Sequence, residues 1–259
     1  IRNSSFDADS LSFFGELTVN LSEQFELSGG ARYSYESRDS EQHSGTPNAA
    51  FANVFPDGVV ITDRYRQGNL SPQATLRYKP SEDLTLYASY KQGFKAGGYN
   101  LSQSLTRAAS RAAGAFKAES ARGGELGLRS KLLDGALAFN ATAFYYKYTD
   151  LQVQTFDPVT IGQIVGNAGT LVTKGLEADF SWNLGGGLSL NGAATYADVR
   201  YHDYIGSCFG GQTVAEGCNL NPNASGAFNG QNYEGRTPPK APRFVGQFGA
   251  EYATPVGGD

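Results

Sequence analysis

Apolar and polar side chains alternate with a period of two along most of this chain, a period that β-strands satisfy and helices do not. Between Leu11 and Leu21 one face carries Leu11, Phe13, Gly15, Leu17, Val19 and Leu21, and the other Ser12, Phe14, Glu16, Thr18 and Asn20. After a break at Ser22-Glu23-Gln24, a run of Phe25, Leu27, Gly29, Ala31, Tyr33 and Tyr35 interleaves with Glu26, Ser28, Gly30, Arg32, Ser34 and Glu36. Two amphipathic runs around a short polar break make a β-hairpin.

The pattern repeats to the end of the chain. Runs from Leu70 to Tyr78 and from Leu84 to Phe94 flank Lys79-Pro80-Ser81-Glu82-Asp83. Strands near 120–131 and 135–149 meet at Leu133-Asp134-Gly135, and strands near 172–183 and 188–200 meet at Gly185-Gly186-Gly187. A ninth strand is predicted near 243–253, with Phe244, Gly246, Phe248, Ala250 and Tyr252 outward and Arg243, Val245, Gln247, Gly249 and Glu251 inward. Short turns alternate with long segments near 37–68, 95–118, 150–171 and 201–241, rich in Gly, Asn, Ser and Pro and read as loops. Membrane barrels place short periplasmic turns at one end and long extracellular loops at the other, whereas a soluble sandwich has no reason to do so.

Charge placement bears on the solvent. Glu26, Arg32, Arg77, Lys91, Glu125, Arg129, Glu177, Asp179 and Glu251 share the polar face, while mid-strand residues of the other face are Leu, Ala, Gly, Val and Phe. A Lys or Arg facing lipid at the bilayer midplane costs about 2–4 kcal/mol, a penalty a wet lumen does not impose. Tyr33, Tyr35, Tyr78, Trp182, Tyr196 and Tyr252 fall near strand ends on the apolar face, where an aromatic girdle belongs. Lys174 falls in register with Leu176, Ala178 and Phe180, and is expected near the loop-side interface. The 259 residues include 33 Gly, 15 Tyr and 16 Phe, a composition suited to strands and tight turns, and no apolar run is long enough for a spanning helix. The net charge of -4, with no basic stripe, argues against nucleic acid as a partner. The expected fold is therefore an all-β, antiparallel transmembrane barrel, with outer-membrane lipid as one partner.

Cys208 and Cys218 lie close together in a Gly- and Asn-rich segment and suit a disulfide made in an oxidising compartment, with two free thiols as the alternative. Two such ligands do not make a structural zinc site, and neither a metal nor a cofactor is expected. No catalytic constellation stands out, so the chain is not read as an enzyme. His43 and His202 lie far apart in loop segments and read as surface residues. Asn221-Pro222-Asn223 reads as turn chemistry. Gly93, Gly97 and Gly98 lack the following helix and Lys-Ser/Thr of a phosphate loop, and read as strand-end flexibility. Loops carry binding function more often than scaffolds do. On that ground the loop-side aromatics Phe94, Tyr99, Phe116, Tyr148, Phe156, Tyr201 and Tyr204 are candidates to line a ligand vestibule. The cations Arg107, Arg111, Lys117 and Arg122 join them.

Four stretches, in this order, resemble the C-terminal barrel of TonB-dependent outer-membrane receptors. The clearest is Asn69 to Asn100, with its Ser71-Pro72 strand start and its Tyr87-x-x-Tyr90-x-x-Gly93-Phe94-x-x-Gly97-Gly98 end. Phe116 to Gln154 follows, with Glu119, Glu125-Leu126-Gly127, Phe144 and Thr149-Asp150-Leu151-Gln152. Asn167-Ala168-Gly169 with Lys174-Gly175-Leu176-Glu177 comes next, then GRTPPKAPRF from Gly235 to Phe244. The resemblance implies that residues 1–259 are about nine strands of a roughly 22-stranded barrel. A plug domain, its TonB box and the final barrel strands would lie outside this chain. It implies uptake of a scarce small-molecule nutrient, most often a ferric siderophore, driven through the plug by the TonB complex. A passive porin is the competing expectation, and an adhesin or enzymatic barrel the third.

Overall fold

The computed structural model describes residues 2–45, 49–53, 55–101, 105–106, 114–157, 162–222 and 226–254. In chain order the strands are β1 (Arg2–Asn20), β2 (Phe25–Ser44), β3 (Val60–Ser81), β4 (Leu84–Lys95), β5 (Gly98–Tyr99), β6 (Ala115–Phe116), β7 (Glu119–Leu132) and β8 (Leu137–Thr149). They continue as β9 (Gln152–Asp157), β10 (Gly162–Asn167), β11 (Thr170–Gly185), β12 (Leu188–Asp203), β13 (Ile205–Ser207), β14 (Leu220–Pro222), β15 (Phe228–Asn232) and β16 (Phe244–Tyr252). Nine form one antiparallel wall in the order β1-β2-β3-β4-β7-β8-β11-β12-β16, and the rest form three small sheets in the long connections. The turn joining β11 to β12 is tight because Gly185, Gly186 and Gly187 all have positive φ, which glycine adopts without strain.

The pairing register turns the sequence alternation into two continuous surfaces. One row crosses the wall through Val19, Leu27, Leu76, Ala88, Leu126, Ala143, Leu176, Tyr196 and Phe244. The row beside it runs through Asn20, Glu26, Arg77, Tyr87, Gly127, Thr142, Glu177 and Thr195. The first is apolar throughout and the second is chiefly polar. Val19 sits beside its periplasmic turn, whereas Phe244 opens its strand from the loop side, so the row climbs as it crosses the wall. That stagger is the strand tilt a barrel requires.

The apolar face is uncovered. Leu17, Leu126, Leu176, Phe244 and Phe248 are each more than half exposed, while the buried apolar cluster consists of Ala168, Leu171 and Tyr201 at the loop end. A soluble sandwich would put its largest apolar side chains between sheets, and an exposed apolar face of this extent marks a surface covered by something else.

The structure corrects the sequence reading in the first three strands. Residues 37–44 and 60–68, read as loop, are strand, and β1 begins at Arg2 rather than near Leu11. Ser40 pairs with Asp63, and His43 with Val60. Both faces of these extensions are polar, so no alternation marks them. His43 and His202 are accordingly strand residues, of β2 and β12, rather than loop residues.

Candidate functional site

The wall divides above Pro72. Pairing between β3 and β4 starts at Gln73↔Lys91, whereas β2 and β3 stay paired up to His43↔Val60 and β4 stays paired with β7 up to Lys95↔Glu119. Pro72 has no N–H to offer β4, so the ladder can end there without leaving a donor unpaired. The Ser71-Pro72 motif thus marks where β1, β2 and β3 rise as one group and β4, β7 and β8 as another.

The loop after β4 closes this division. Arg38 Nη1 donates to the Gly97 carbonyl at 2.9 Å, its Nη2 pairs with Glu36 at 2.9 Å, and the Gly97 N–H donates to the Tyr65 hydroxyl at 2.8 Å. Gly97 and Gly98 are buried. A Cβ on Gly97 would meet the Phe116 carbonyl oxygen at 2.5 Å, so this glycine serves close backbone approach and not strand-end flexibility, a correction to the sequence reading.

Amide side chains then join that loop to the next. Asn100 donates to the carbonyls of Gly114 at 3.2 Å and Val165 at 2.8 Å, and accepts from the Val165 N–H at 2.6 Å. Asn167 donates to the carbonyls of Lys117 at 3.1 Å and Asp150 at 2.7 Å. Gln152 donates to the Ala96 carbonyl at 2.9 Å. Ala168 is fully buried beneath them, and a Cβ on Gly169 would meet the Asp203 carbonyl oxygen at 1.7 Å. These contacts account for Asn167-Ala168-Gly169: an amide that bridges, a side chain small enough to bury, and a backbone pressed against its neighbour.

The result is two adjoining recesses on the loop side. The first, a cavity of about 310 Å3, is lined by Phe6, Arg38, Ser40, Tyr99, Asn100 and Phe116 among others. The Ser40 hydroxyl is buried there with no hydrogen-bond partner among the described residues. The second, of about 950 Å3, lies between β9, β10 and the small sheet β13-β15-β14, with Val153, Ile164, Tyr204, Phe209, Phe228 and Tyr233 in its walls. Cys208 and Cys218 are joined by a disulfide at its rim, with Cα atoms 5.7 Å apart. Tyr204 stacks on Tyr233 at 5.2 Å and meets Tyr201 at 4.9 Å, and Arg236 lies over Tyr233 at 5.4 Å. Burial pushes the Tyr204 phenol above its ordinary range. Both recesses fall in the size range of small-molecule sites.

The expected vestibule residues distribute as follows. Tyr99 and Phe116 line the first recess, Tyr204 lines the second, and Tyr148 and Tyr201 pack into the cluster behind it. The Lys117 ammonium lies 3.8 Å from Asp150. Register places Phe94 and Arg122 on the face shared with Tyr90 and Leu126. The Phe156 backbone belongs to β9, but its side chain lies outside the described residues, as do Arg107, Arg111 and Asn223. Sequence reasoning missed Arg38, Ser40, Asn100 and Tyr233. Arg38 and Ser40 fell in a segment read as loop, and a single asparagine or tyrosine carries no pattern.

The described residues contain no cluster of His, Cys, Asp or Glu suited to hold a metal ion. Below the recesses the inner face is a charge-paired groove: Glu26 contacts Arg77 and, at 3.0 Å, Lys79, while Lys91 meets Glu125 at 2.9 Å.

The family described as TonB dependent receptor-like, beta-barrel matches residues 1–259. The pesticin receptor of Yersinia pestis is 30% identical over 182 residues, which is 70% of this chain and 25% of that protein. The metal-pseudopaline receptor CntO of Pseudomonas aeruginosa is 31% identical over 130 residues, 50% of this chain and 17% of that protein. Among solved structures, the ferric yersiniabactin uptake receptor FyuA from Yersinia pestis aligns with a TM-score of 0.69 at 20% identity, covering 96% of this chain and 32% of its own. The siderophore receptor PiuA from Acinetobacter baumannii aligns at 0.68 and 20% identity, covering 95% and 32%. At that identity these two establish the fold alone. The chain thus spans about a quarter of the pesticin receptor's length.

Proposed function

Because the chain belongs to the TonB-dependent receptor β-barrel family, and so to an outer-membrane protein, we propose that it forms part of the barrel of a nutrient receptor. That receptor binds a ferric siderophore at the cell surface and passes it to the periplasm with TonB-coupled energy. The observation that carries this reading is the pair of loop-side recesses above a charged inner face. Aromatic rings, an unpaired hydroxyl and cations converge there from the upper ends of β1 and β2 and from connections that are sewn together and held by a disulfide. A passive pore has no use for such an assembly. Ferric siderophores are bulky, and aromatic rings with Arg side chains give a large polar molecule both contact area and hydrogen bonds. The named relatives are receptors rather than enzymes, and two are named for a siderophore or for a ferric complex that they take up.

The test is growth of an iron-starved strain lacking the gene, supplied with a panel of ferric siderophores. The intact gene restores growth on at least one of them, and replacing Tyr99 and Tyr204 by Ala weakens that rescue without lowering the amount of receptor. Growth that never depends on the gene across the panel contradicts the siderophore assignment.

A further inference from the structure

Two cations oppose each other on the outward face. Arg122 of β7 and Lys147 of β8 are direct cross-strand partners, in a ladder without register shifts, and share the face of Leu126 and Ala143. Neither has an ion pair or side-chain hydrogen bond among the described residues, and neither reaches Asp198, whose carboxylate is taken by Arg200 at 2.8 Å. Lys174 lies one diagonal away, paired with Tyr145 on that face, but its other cross-strand partner is Asp198, so the uncompensated cations are Arg122 and Lys147. Like charges placed opposite each other in a sheet destabilise it unless something anionic sits between them.

A depression suited to a hydrocarbon chain lies directly below. Tyr90 and Tyr145 stand on either side of Gly124 in the next row, and Ala88, Leu126 and Ala143 form the row after it. The missing Gly124 side chain leaves an apolar groove between the two rings. Charge above and apolar groove below is the profile of a lipid at a membrane interface.

We propose that Arg122 and Lys147 hold the phosphate of an outer-leaflet glycolipid whose acyl chain lies in the groove between Tyr90 and Tyr145. The guanidinium donates to two phosphate oxygens and the ammonium to a third, and the phosphate relieves the repulsion between the cations. Long cationic side chains at a strand's loop-side end reach headgroup level readily. This assigns the outward position of Arg122 a use separate from ligand uptake.

The test is native mass spectrometry of the full-length receptor carrying this chain, in detergent, with lipid A bearing both phosphates as the probe. The wild-type protein retains the lipid. The Arg122→Ala/Lys147→Ala double variant retains about tenfold less or below, the size expected for lost charge-assisted hydrogen bonds. Without lipid, the variant melts no lower than the wild type, because the opposed charges are gone, so weaker retention cannot be put down to misfolding. Equal retention by both proteins, or equal retention of lipid A stripped of its phosphates, overturns the proposal. Retention of inorganic phosphate alone that matches the lipid's, and is lost in the same double variant, overturns the lipid as occupant.

Discussion

Single residues decide whether the loop-side recesses exist, and Asn100 is the clearest. Its amide joins the loop after β4 to Val165 of β10 through two hydrogen bonds and to the Gly114 carbonyl ahead of β6 through a third. Asn100→Ala leaves the Val165 N–H and carbonyl without their side-chain partner, while the Gly114 carbonyl keeps the Asn100 backbone N–H, a loss of about 1–3 kcal/mol of local stability. Hydrogen exchange should quicken in 97–101 and 162–167 while the wall strands stay protected, and unchanged exchange in both segments refutes the bridging role. Glu216 gives a pH-dependent counterpart. The Thr213 N–H and then the Thr213 hydroxyl donate to its carboxylate and hold it below the ordinary carboxylate range. A lowered folded-state pKa stabilises the 213–217 turn above about pH 4 and ceases to do so as pH falls through the folded value. The protection of the Thr213 amide, corrected for the intrinsic pH dependence of exchange, should therefore fall on acidification in the wild type and stay nearly level with pH in Glu216→Gln. These residues were invisible in the sequence, because a lone Asn or Glu in a polar segment has no periodicity to betray it. Gly169 and Ala168 were legible only as part of a family motif, and the carbonyl of Asp203 supplies the reason.

Elements were far more legible. Where one side of a strand meets lipid and the other water, alternation is enforced, and β4, β7, β8, β11, β12 and β16 stand close to where the period of two placed them. Where both sides meet water the enforcement lapses, which is why the upper halves of β2 and β3 read as loop. The same difference between faces predicts unequal tolerance of charge. Leu126→Arg puts a cation on the lipid side and should cost about 2–4 kcal/mol if it lies near the midplane, while Thr195→Arg on the inner side should cost little. Folding yield into bilayers and resistance to denaturant report both, and equal costs would mean the faces are misassigned. The disulfide acts on a different element. Cys208 and Cys218 are 10 residues apart, and closing a loop of that size contributes about 2–3 kcal/mol in the chain-entropy account. Reduction, or Cys208→Ser with Cys218→Ser, should speed exchange across β13, β14 and β15 and leave β11 and β12 as they are. The outcome is read by peptide-resolved exchange.

At the scale of the whole molecule, the two outermost strands set the behaviour of the chain. β1 pairs only with β2, and β16 only with β12, among the described residues. Unpaired strand edges cannot face hydrocarbon, so residues 1–259 expressed alone should aggregate or swap edges, and a monodisperse, protease-resistant monomer in detergent would contradict this. The barrel class, the sidedness of the loops and the family were legible in the sequence because each is written over many residues at once. The recesses were not, because the first depends on where the β3–β4 ladder stops, above Pro72, and the second on small sheets folded within the long connections. The account rests most heavily on energy-coupled import. Accumulation of a radiolabelled ferric siderophore by cells carrying the full receptor, with and without a working TonB complex, tests it most directly. The account predicts uptake that requires both the receptor and TonB; uptake that persists at the same rate without TonB would make this wall part of a passive pore and contradict it.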